Sequence, residues 1–275
     1  MDIINRYINE DLPYVDLTTS LQNFADIKAI LEIYTRDTSI MSGGEFAKQI
    51  AIKFNCKSEF IAKDGEMINA NSLIFKANGS YENIHKIWKL IQNLLEYMIA
   101  IATYCRKMLN EIRKVNNYCQ ILGTRKTFPN AKEFCIKALI DGGGMIHRLN
   151  LSDSILFFEN HRILYEDDSK FYEFLSDVKL KFIEKKLVVE ALSIEDAINL
   201  LKICDCVQLD KMSLDDTQNI LKLRDEKYKN VKIISAGGIN LQNIKEYAKV
   251  GVDGIVTSAM YYNVKDDLKA RILKI

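Results

Sequence analysis

The sequence predicts an α/β protein, with a small α+β unit followed by a longer series of parallel strands and helices. Three observations predict it. From Tyr118 onward, short apolar runs centred on Ile121, Leu156, Val188, Leu209, Ile234 and Val256 alternate with helical patterns over about 131–140, 169–182, 193–202, 213–227 and 241–250. Strands that alternate with helices imply a parallel sheet. Before Tyr118 strand and helix patterns are mixed instead, as in an α+β unit. Between the two lies one long helical pattern, residues 82–115, with Ile84, Ile87, Trp88, Ile91, Leu94, Leu95 and Met98 on one broad face. A helix of that length can link two domains, here 1–105 and 106–275.

Residues 2–10 can form an amphipathic helix with Ile3, Ile4, Tyr7 and Ile8 inward, ended by Pro13, and Asp16-Leu17-Thr18-Thr19 reads as a turn. Strand patterns cover 28–34, 58–63 and 72–77, the last two around the turn Lys63-Asp64-Gly65. Ile40-Met41 with Ser42-Gly43-Gly44 is a short strand and turn, and 45–54 is a helix with Phe46, Ile50 and Phe54 four apart. Ser80 caps the long helix. Ser193 before Asp196 and Ser213 before Asp216 have capping-box spacing and mark two later helix starts. Six parallel strands are too few for the eight-stranded barrel, and the pattern alone does not separate an open sheet from a smaller barrel.

Composition narrows the classes. A hydrophobic fraction of 48% supports a buried core, and a net charge of +1 gives no global pull toward nucleic acid or membrane. Apolar runs are short and interrupted by charge, so no transmembrane helix is expected. The opening residues are acidic and polar, unlike a signal peptide, so a cytoplasmic location is expected. Cys56, Cys105, Cys119, Cys135, Cys204 and Cys206 show no zinc or disulfide framework and read as reduced core thiols.

Ligands of parallel α/β folds sit at the carboxyl ends of the strands. That rule gathers Arg125-Lys126, Glu159, His161, Glu190, Asp210-Lys211, Ser235-Ala236-Gly237-Gly238 and Thr257-Ser258 around one mouth, and a second basic cluster, His147-Arg148, follows on the next strand-connecting loop. The two basic clusters are separated by one helix and the run Gly142-Gly143-Gly144, so they can face one ligand from two sides. Arginine recognises carboxylate or phosphate bidentately, so a ligand with more than one negative charge is expected. Backbone N–H groups of Gly237-Gly238 and the helix start near Gln242 suit a phosphate. Glu190 and Asp210 suit Mg2+, which takes one or two carboxylates plus substrate oxygens.

TRKTFP (124–129), GGGMIHRLNLSD (142–153) and ENH (159–161) resemble the signature of the nicotinate-nucleotide pyrophosphorylase family, the quinolinate phosphoribosyltransferases. Those enzymes carry DTRKT-P-G, GGG-x-x-HR-x-x-L-x-D and KDNH at comparable spacing. The resemblance covers essentially the whole chain. It is closer to the ModD branch, encoded with molybdate-transport genes, through EDLPYVDLTT (10–19), Trp88-Lys89 ahead of NLLEY, FFENHR, SAGGIN and VTSAMY. It implies an α/β sandwich domain followed by a six-stranded α/β barrel, open on one side. It implies that Arg125, Lys126, His147 and Arg148 bind the acceptor acid and pyrophosphate, and that Glu190 and Asp210 hold ribose and metal. The late loops, with Ala236, Gly237, Gly238, Thr257 and Ser258, would take the 5-phosphate. The family also sends an arginine from the long helix across a dimer interface. Lys89 stands at that position, so a homodimer or hexamer is implied.

Six departures matter. Gly123 stands for the Asp of DTRKT, Asn130 for the following Gly, Phe158 for the Lys of KDNH and Glu159 for its Asp, while Ala236 and Ser258 alter the phosphate loops. Burying a second substrate carboxylate without the lysine is costly, whereas Phe158 offers a flat apolar face to an aromatic ring; strand alternation does not settle whether it points at the site or into the core. The expectation is therefore phosphoribosyl transfer, with Mg2+, from phosphoribosyl pyrophosphate to an anionic or aromatic nitrogen acceptor other than quinolinate, with Phe158 and His161 beside the acceptor. Two alternatives stand beside it: decarboxylating quinolinate phosphoribosyl transfer that makes nicotinate mononucleotide, and a non-catalytic, molybdate-linked protein that binds an anion or nucleotide.

Overall fold

The computed structural model describes residues 2–22, 24, 27–60, 62–262 and 267–275. Helix α1 (Ile3–Asp11) starts where the Asp2 carboxylate accepts from the Ile4 N–H, and it buries Ile4 and Ile8. The predicted turn at Asp16 is instead a helix start. Its carboxylate accepts from the Thr18 and Thr19 N–H groups, and α2 (Leu17–Gln22) follows. The same short side chain that closes a turn also caps a helix. Strands β1 (Lys28–Thr35) and β2 (Ser39–Ile40), helix α3 (Gly44–Lys53), and strands β3 (Lys57–Phe60), β4 (Met67–Ile68) and β5 (Leu73–Ser80) come next. Ile61, inside the predicted strand 58–63, lies outside the described residues. Helix α4 (Tyr81–Arg113) begins at the Ser80 hydroxyl, which accepts from Asn83, and Ile84, Ile87, Ile91, Leu95 and Met98 of its predicted face are fully buried.

The second half runs β6 (Gln120–Gly123), α5 (Lys132–Asp141), β7 (Met145–Ile146), β8 (Ile155–Phe157), α6 (Glu159–Arg162), α7 (Asp168–Lys181), β9 (Leu187–Ala191), α8 (Ile194–Leu200), β10 (Cys206–Asp210), α9 (Leu214–Lys227), β11 (Lys232–Ala236), α10 (Ile244–Val250), β12 (Gly254–Thr257), α11 (Ala259–Tyr262) and β13 (Leu268–Lys274). Every predicted strand and helix is present. Ser193 and Ser213 cap α8 and α9 by accepting from the Asp196 and Asp216 N–H groups. Among the described residues no helix is long and apolar enough to cross a membrane.

The chain forms two compact units. One comprises residues 1–106, 127–143 and 260–275 and contains an antiparallel sheet of order β13-β1-β5-β3 and the ribbon β2-β4. Strand β13 has no counterpart in the sequence reading. It pairs along β1 from Ala29↔Lys274 to Thr35↔Leu268, and Arg271 Nε meets Glu32 Oε2 at 2.7 Å. The glycine run has a packing cause here: a Cβ on Gly142 would lie 2.6 Å from both Ala102 O and Cys105 Cβ, so α5 ends in direct contact with α4. Arg106 Nε then donates to the Gly142 carbonyl at 2.9 Å.

The other unit, residues 107–126 and 144–259, is a parallel sheet of order β7-β6-β12-β11-β10-β9-β8. The expected six strands become seven. The extra one, β7, is only two residues long and leaves no periodicity to read. Leu156, Val188, Ile234, Ala236 and Val256, with Leu122, Phe158 and Cys206 against them, form one cluster. Side chains from β8 and from β12, far apart in sheet order, meet only if the sheet curls around them, so the unit is an α/β barrel left open between β7 and β8.

Candidate active site

Strand register places the site. Leu156 pairs with Val188, Val188 with Cys206, and Glu190 with Gln208 and through it with Ile234. Partners in a parallel ladder share a face, and so do residues two apart. Phe158, Glu190, Gln208 and Asp210 therefore lie on the same inner face as the apolar cluster, at the carboxyl ends of β8, β9 and β10. Ala236, in register with Asp210, continues the row.

Glu190 is half-buried, and burial pushes its carboxyl above the usual range; Asp210 and Glu159 add repulsion, while Lys126 pulls the other way. Gln208 also favours the ionised form, donating Nε2 to Glu190 Oε2 at 2.6 Å. Gln208 is 3% exposed, and its own Oε1 is buried without a partner among the described residues. The sequence reading missed it: a glutamine between Val207 and Leu209 is visible as polar, but its parity with Glu190 needs the register.

The cations come together at the ends of β6 and β7. The His147 N–H donates to Gly123 O at 3.1 Å, and Thr124 N–H to Thr257 O at 3.2 Å. Arg125 and Lys126 are exposed, with the Lys126 N–H on the Thr124 hydroxyl. Burial lowers the Arg148 guanidinium pKa, and the nearby Arg125 lowers it further; Arg148 Nε is buried without a partner among the described residues. Burial, reinforced by Arg148, pushes His147 down to about 4, so it is neutral at physiological pH. Two neighbouring arginines beside a neutral imidazole suit a polyanion chemically, because a ligand of opposite sign relieves the repulsion between like charges.

Phe158 packs on the inner cluster and stacks with His161, with ring centres 5.9 Å apart and planes 24° from parallel. Phe157 points to the other face, against Phe171 and Phe174. His161 is exposed, and its Nδ1 accepts from the Phe158 N–H at 2.9 Å, so that nitrogen serves the start of α6. Next to it the sequence hid a buried lock. Arg162 donates to both Asp196 oxygens (3.1 and 2.8 Å) and to the Glu190 carbonyl (2.9 Å), above the Phe171 ring. Asp196 also accepts from Tyr172 and from the Leu192 N–H. This network fixes the backbone from the Glu190 carbonyl to the Leu192 N–H.

Just past β11, Gly237 and Gly238 have φ of 91° and 70°, which favours glycine. A Cβ on Gly237 would lie 2.8 Å from Asp210 Oδ1, while nothing lies within 4 Å of one on Gly238. The bare backbone at Gly238 is thus open to a ligand. The Thr257 hydroxyl donates to Ile239 O and accepts from the Ala259 N–H, tying the end of β12 to this loop beside half-buried Ser258. The expected donor Gln242 is corrected: its N–H already donates to Asn240 Oδ1, and α10 begins only at Ile244.

Among the described residues no cluster of three metal-ligating side chains exists. The pair Glu190 and Asp210, mutually repulsive at adjacent strand ends, fits a cation that takes its other ligands from substrate oxygens and water, as Mg2+ does. Lys89 belongs to the other unit. It is exposed on α4, with Nζ 3.2 Å from Gln92 Oε1 and 4.9 Å from the Trp88 ring centre.

Comparison with known proteins follows the same lines. Family models for the quinolinate phosphoribosyl transferase N-terminal and C-terminal domains match residues 16–99 and 101–269. The chain is 32% identical over 272 residues to the "Putative pyrophosphorylase ModD" of Pasteurella multocida (strain Pm70), covering 98% of this chain and 96% of that one. It is 30% identical over 272 residues to the "Probable nicotinate-nucleotide pyrophosphorylase" (carboxylating) of Methanothermobacter thermautotrophicus, covering 95% of each. The solved nicotinate-nucleotide pyrophosphorylase of Francisella tularensis is similar with a TM-score of 0.89 at 25% identity, covering 98% of this chain and 95% of that one. NadC from Streptococcus pyogenes, at 20% identity, shares the fold with a TM-score of 0.87, covering 99% and 95%.

Proposed function

Since the chain belongs to the quinolinate phosphoribosyl transferase family, and so to the pentosyltransferases, we propose that it moves the phosphoribosyl group of phosphoribosyl pyrophosphate onto a ring nitrogen of an anionic or aromatic acceptor other than quinolinate. The observation that carries this reading is Phe158. It occupies the inner face two residues past Leu156, as Glu190 does past Val188, so an apolar ring borders the carboxylates.

The ring nitrogen attacks C1 as the C1–oxygen bond to pyrophosphate breaks, through a transition state with oxocarbenium character. Catalysis is then mostly positioning and neutralisation of the leaving group. Arg125, Lys126 and Arg148 take up the pyrophosphate charge. Neutral His147 orients the acceptor by hydrogen bonding rather than by charge. Glu190, held by Gln208, and Asp210 accept from the ribose hydroxyls and would hold Mg2+, which would supply charge neutralisation to the pyrophosphate. Gly237-Gly238 receive the 5-phosphate, beside Ala236, Thr257 and Ser258. Lys89 serves a neighbouring subunit in a homodimer or hexamer, as its place on α4 suits, and the enzyme works in the cytoplasm.

The test is pyrophosphate release from phosphoribosyl pyrophosphate across a panel of pyridine and purine acids, with quinolinate as the reference. Release with one of these acids at a higher kcat/KM than with quinolinate supports the reading. Efficient formation of nicotinate mononucleotide from quinolinate overturns it. Tight binding of Mg2+ and phosphoribosyl pyrophosphate without turnover on any acceptor returns the protein to the non-catalytic class, which the loss of the family lysine at Phe158 also favours.

A further inference from the structure

We propose that Lys211 is a ligand-binding cation of the phosphate end of the site, holding the phosphate monoester received by the Gly237-Gly238 loop. This rests on the phosphoribosyl reading above.

Four non-glycine residues among those described have left-handed backbone: Asn55, Asn71, Asn130 and Lys211, with φ of 55°, 60°, 63° and 54°. Three are asparagines, whose short polar side chain tolerates that region. Lysine has no such relief, and strain of this kind persists where neighbours hold it and gathers at ligand sites. The neighbours are visible. The Lys211 N–H donates to Ala236 O at 2.9 Å, one step beyond the pair Asp210↔Ala236. A Cβ on Gly237 would come within 2.4 Å of Lys211 Cγ, so the lysine stem rests on the bare α-carbon of Gly237. The next residue, Gly238, is exposed with empty space where a side chain would stand.

The stem is therefore fixed at its base over one glycine, beside a second that is open. Lys211 is exposed, and its ammonium makes no hydrogen bond or ion pair among the described residues, although Asp210 precedes it in the chain. An unspent cation on a strained backbone, next to an open glycine turn, suits a dianionic phosphate. Lysine recognises it as a point charge.

The test compares the full-length protein with K211N, K211M and K211R, using calorimetry with ribose 5-phosphate, inorganic phosphate, pyrophosphate, and Mg2+ with phosphoribosyl pyrophosphate. K211N suits the backbone and removes the charge. Its unfolding temperature is expected to rise by about 2 °C as strain is relieved, while affinity for ribose 5-phosphate falls roughly tenfold or more. K211M loses the same affinity, and K211R keeps it within a few-fold. Pyrophosphate affinity, assigned to the Arg125 cluster, is unchanged. Equal ribose 5-phosphate affinity in wild type and K211N, or a loss confined to pyrophosphate, overturns the assignment of Lys211 alone. A wild type that binds neither ribose 5-phosphate nor phosphoribosyl pyrophosphate overturns the phosphoribosyl reading together with it.

Discussion

Gln208 donates its side-chain amide to Glu190 across 2.6 Å, from the adjacent strand and the same row of the barrel interior. Burial raises the Glu190 pKa and this contact opposes the rise. Binding that needs the carboxylate is lost as pH falls through the Glu190 pKa. In Q208L that pKa moves up, so the acid limb of phosphoribosyl pyrophosphate binding shifts to higher pH, as calorimetry on both proteins over a pH series would show. The linked stability has the opposite sense. A raised carboxyl favours the folded state below the unfolded pKa, and that contribution is lost as pH rises through the folded value. E190Q is therefore expected to melt higher than wild type at neutral pH while binding no Mg2+-phosphoribosyl pyrophosphate.

His147, held down to about 4 by burial and Arg148, should show no titration near its ordinary pKa of about 6.5 when followed by NMR of its ring carbons. Because the folded value is the lower one, its contribution to stability is present above the unfolded pKa and is lost as pH falls toward about 4. Denaturant titrations of H147Q should show a flatter pH dependence over that window.

Arg125 and Arg148 crowd each other on loops rather than in the core. R125A and R148A should each weaken pyrophosphate binding by roughly 1.5–3 kcal/mol, the range for hydrogen bonds to charged groups, with unchanged folding by circular dichroism. Unaltered affinity in both variants would remove the polyanion site.

Arg162 and Asp196 are 8% and 5% exposed and bonded through two contacts. R162M leaves Asp196 charged and buried, so urea unfolding should show a loss of about 3–5 kcal/mol. The double variant R162M/D196L should recover much of it, because both charges are then gone.

Phe158 tests acceptor choice. F158K should raise quinolinate affinity, since it restores a cation on the inner face. It should also lower stability by about 3 kcal/mol, the scale for losing a packed aromatic ring, because Phe158 lies against Leu156, Val188 and their neighbours. No gain in quinolinate affinity in a folded F158K protein would refute the remodelled acceptor side.

The strands centred on Ile121, Leu156, Val188, Leu209, Ile234 and Val256 were legible because buried parallel strands are continuous apolar runs, and Ser193 and Ser213 announce their helices. Met145-Ile146 is too short to show a period. Leu268–Lys274 does alternate, but nothing local tells that its partner is β1. The strand-end rule found Glu190 and Asp210 from position alone. It could not find Gln208, Arg162 or Asp196, because their roles depend on register and on contacts between distant segments. His161 and Gln242 were chosen by residue type and place, yet each spends an expected group locally, on the Phe158 N–H and on Asn240 Oδ1.

The pairing of β13 with β1 has a consequence for synthesis. Glu32 and Arg271, joined across these strands, are 239 positions apart. As the chain leaves the ribosome, β1 waits for this neighbour while almost all the rest is made, and its backbone edge stays unpaired. An apolar strand with a free edge invites pairing with another chain, and long-range pairing is slow to form. The edge of β1 is therefore closed late, and until its partner 239 positions on has been made it is a point of vulnerability to aggregation.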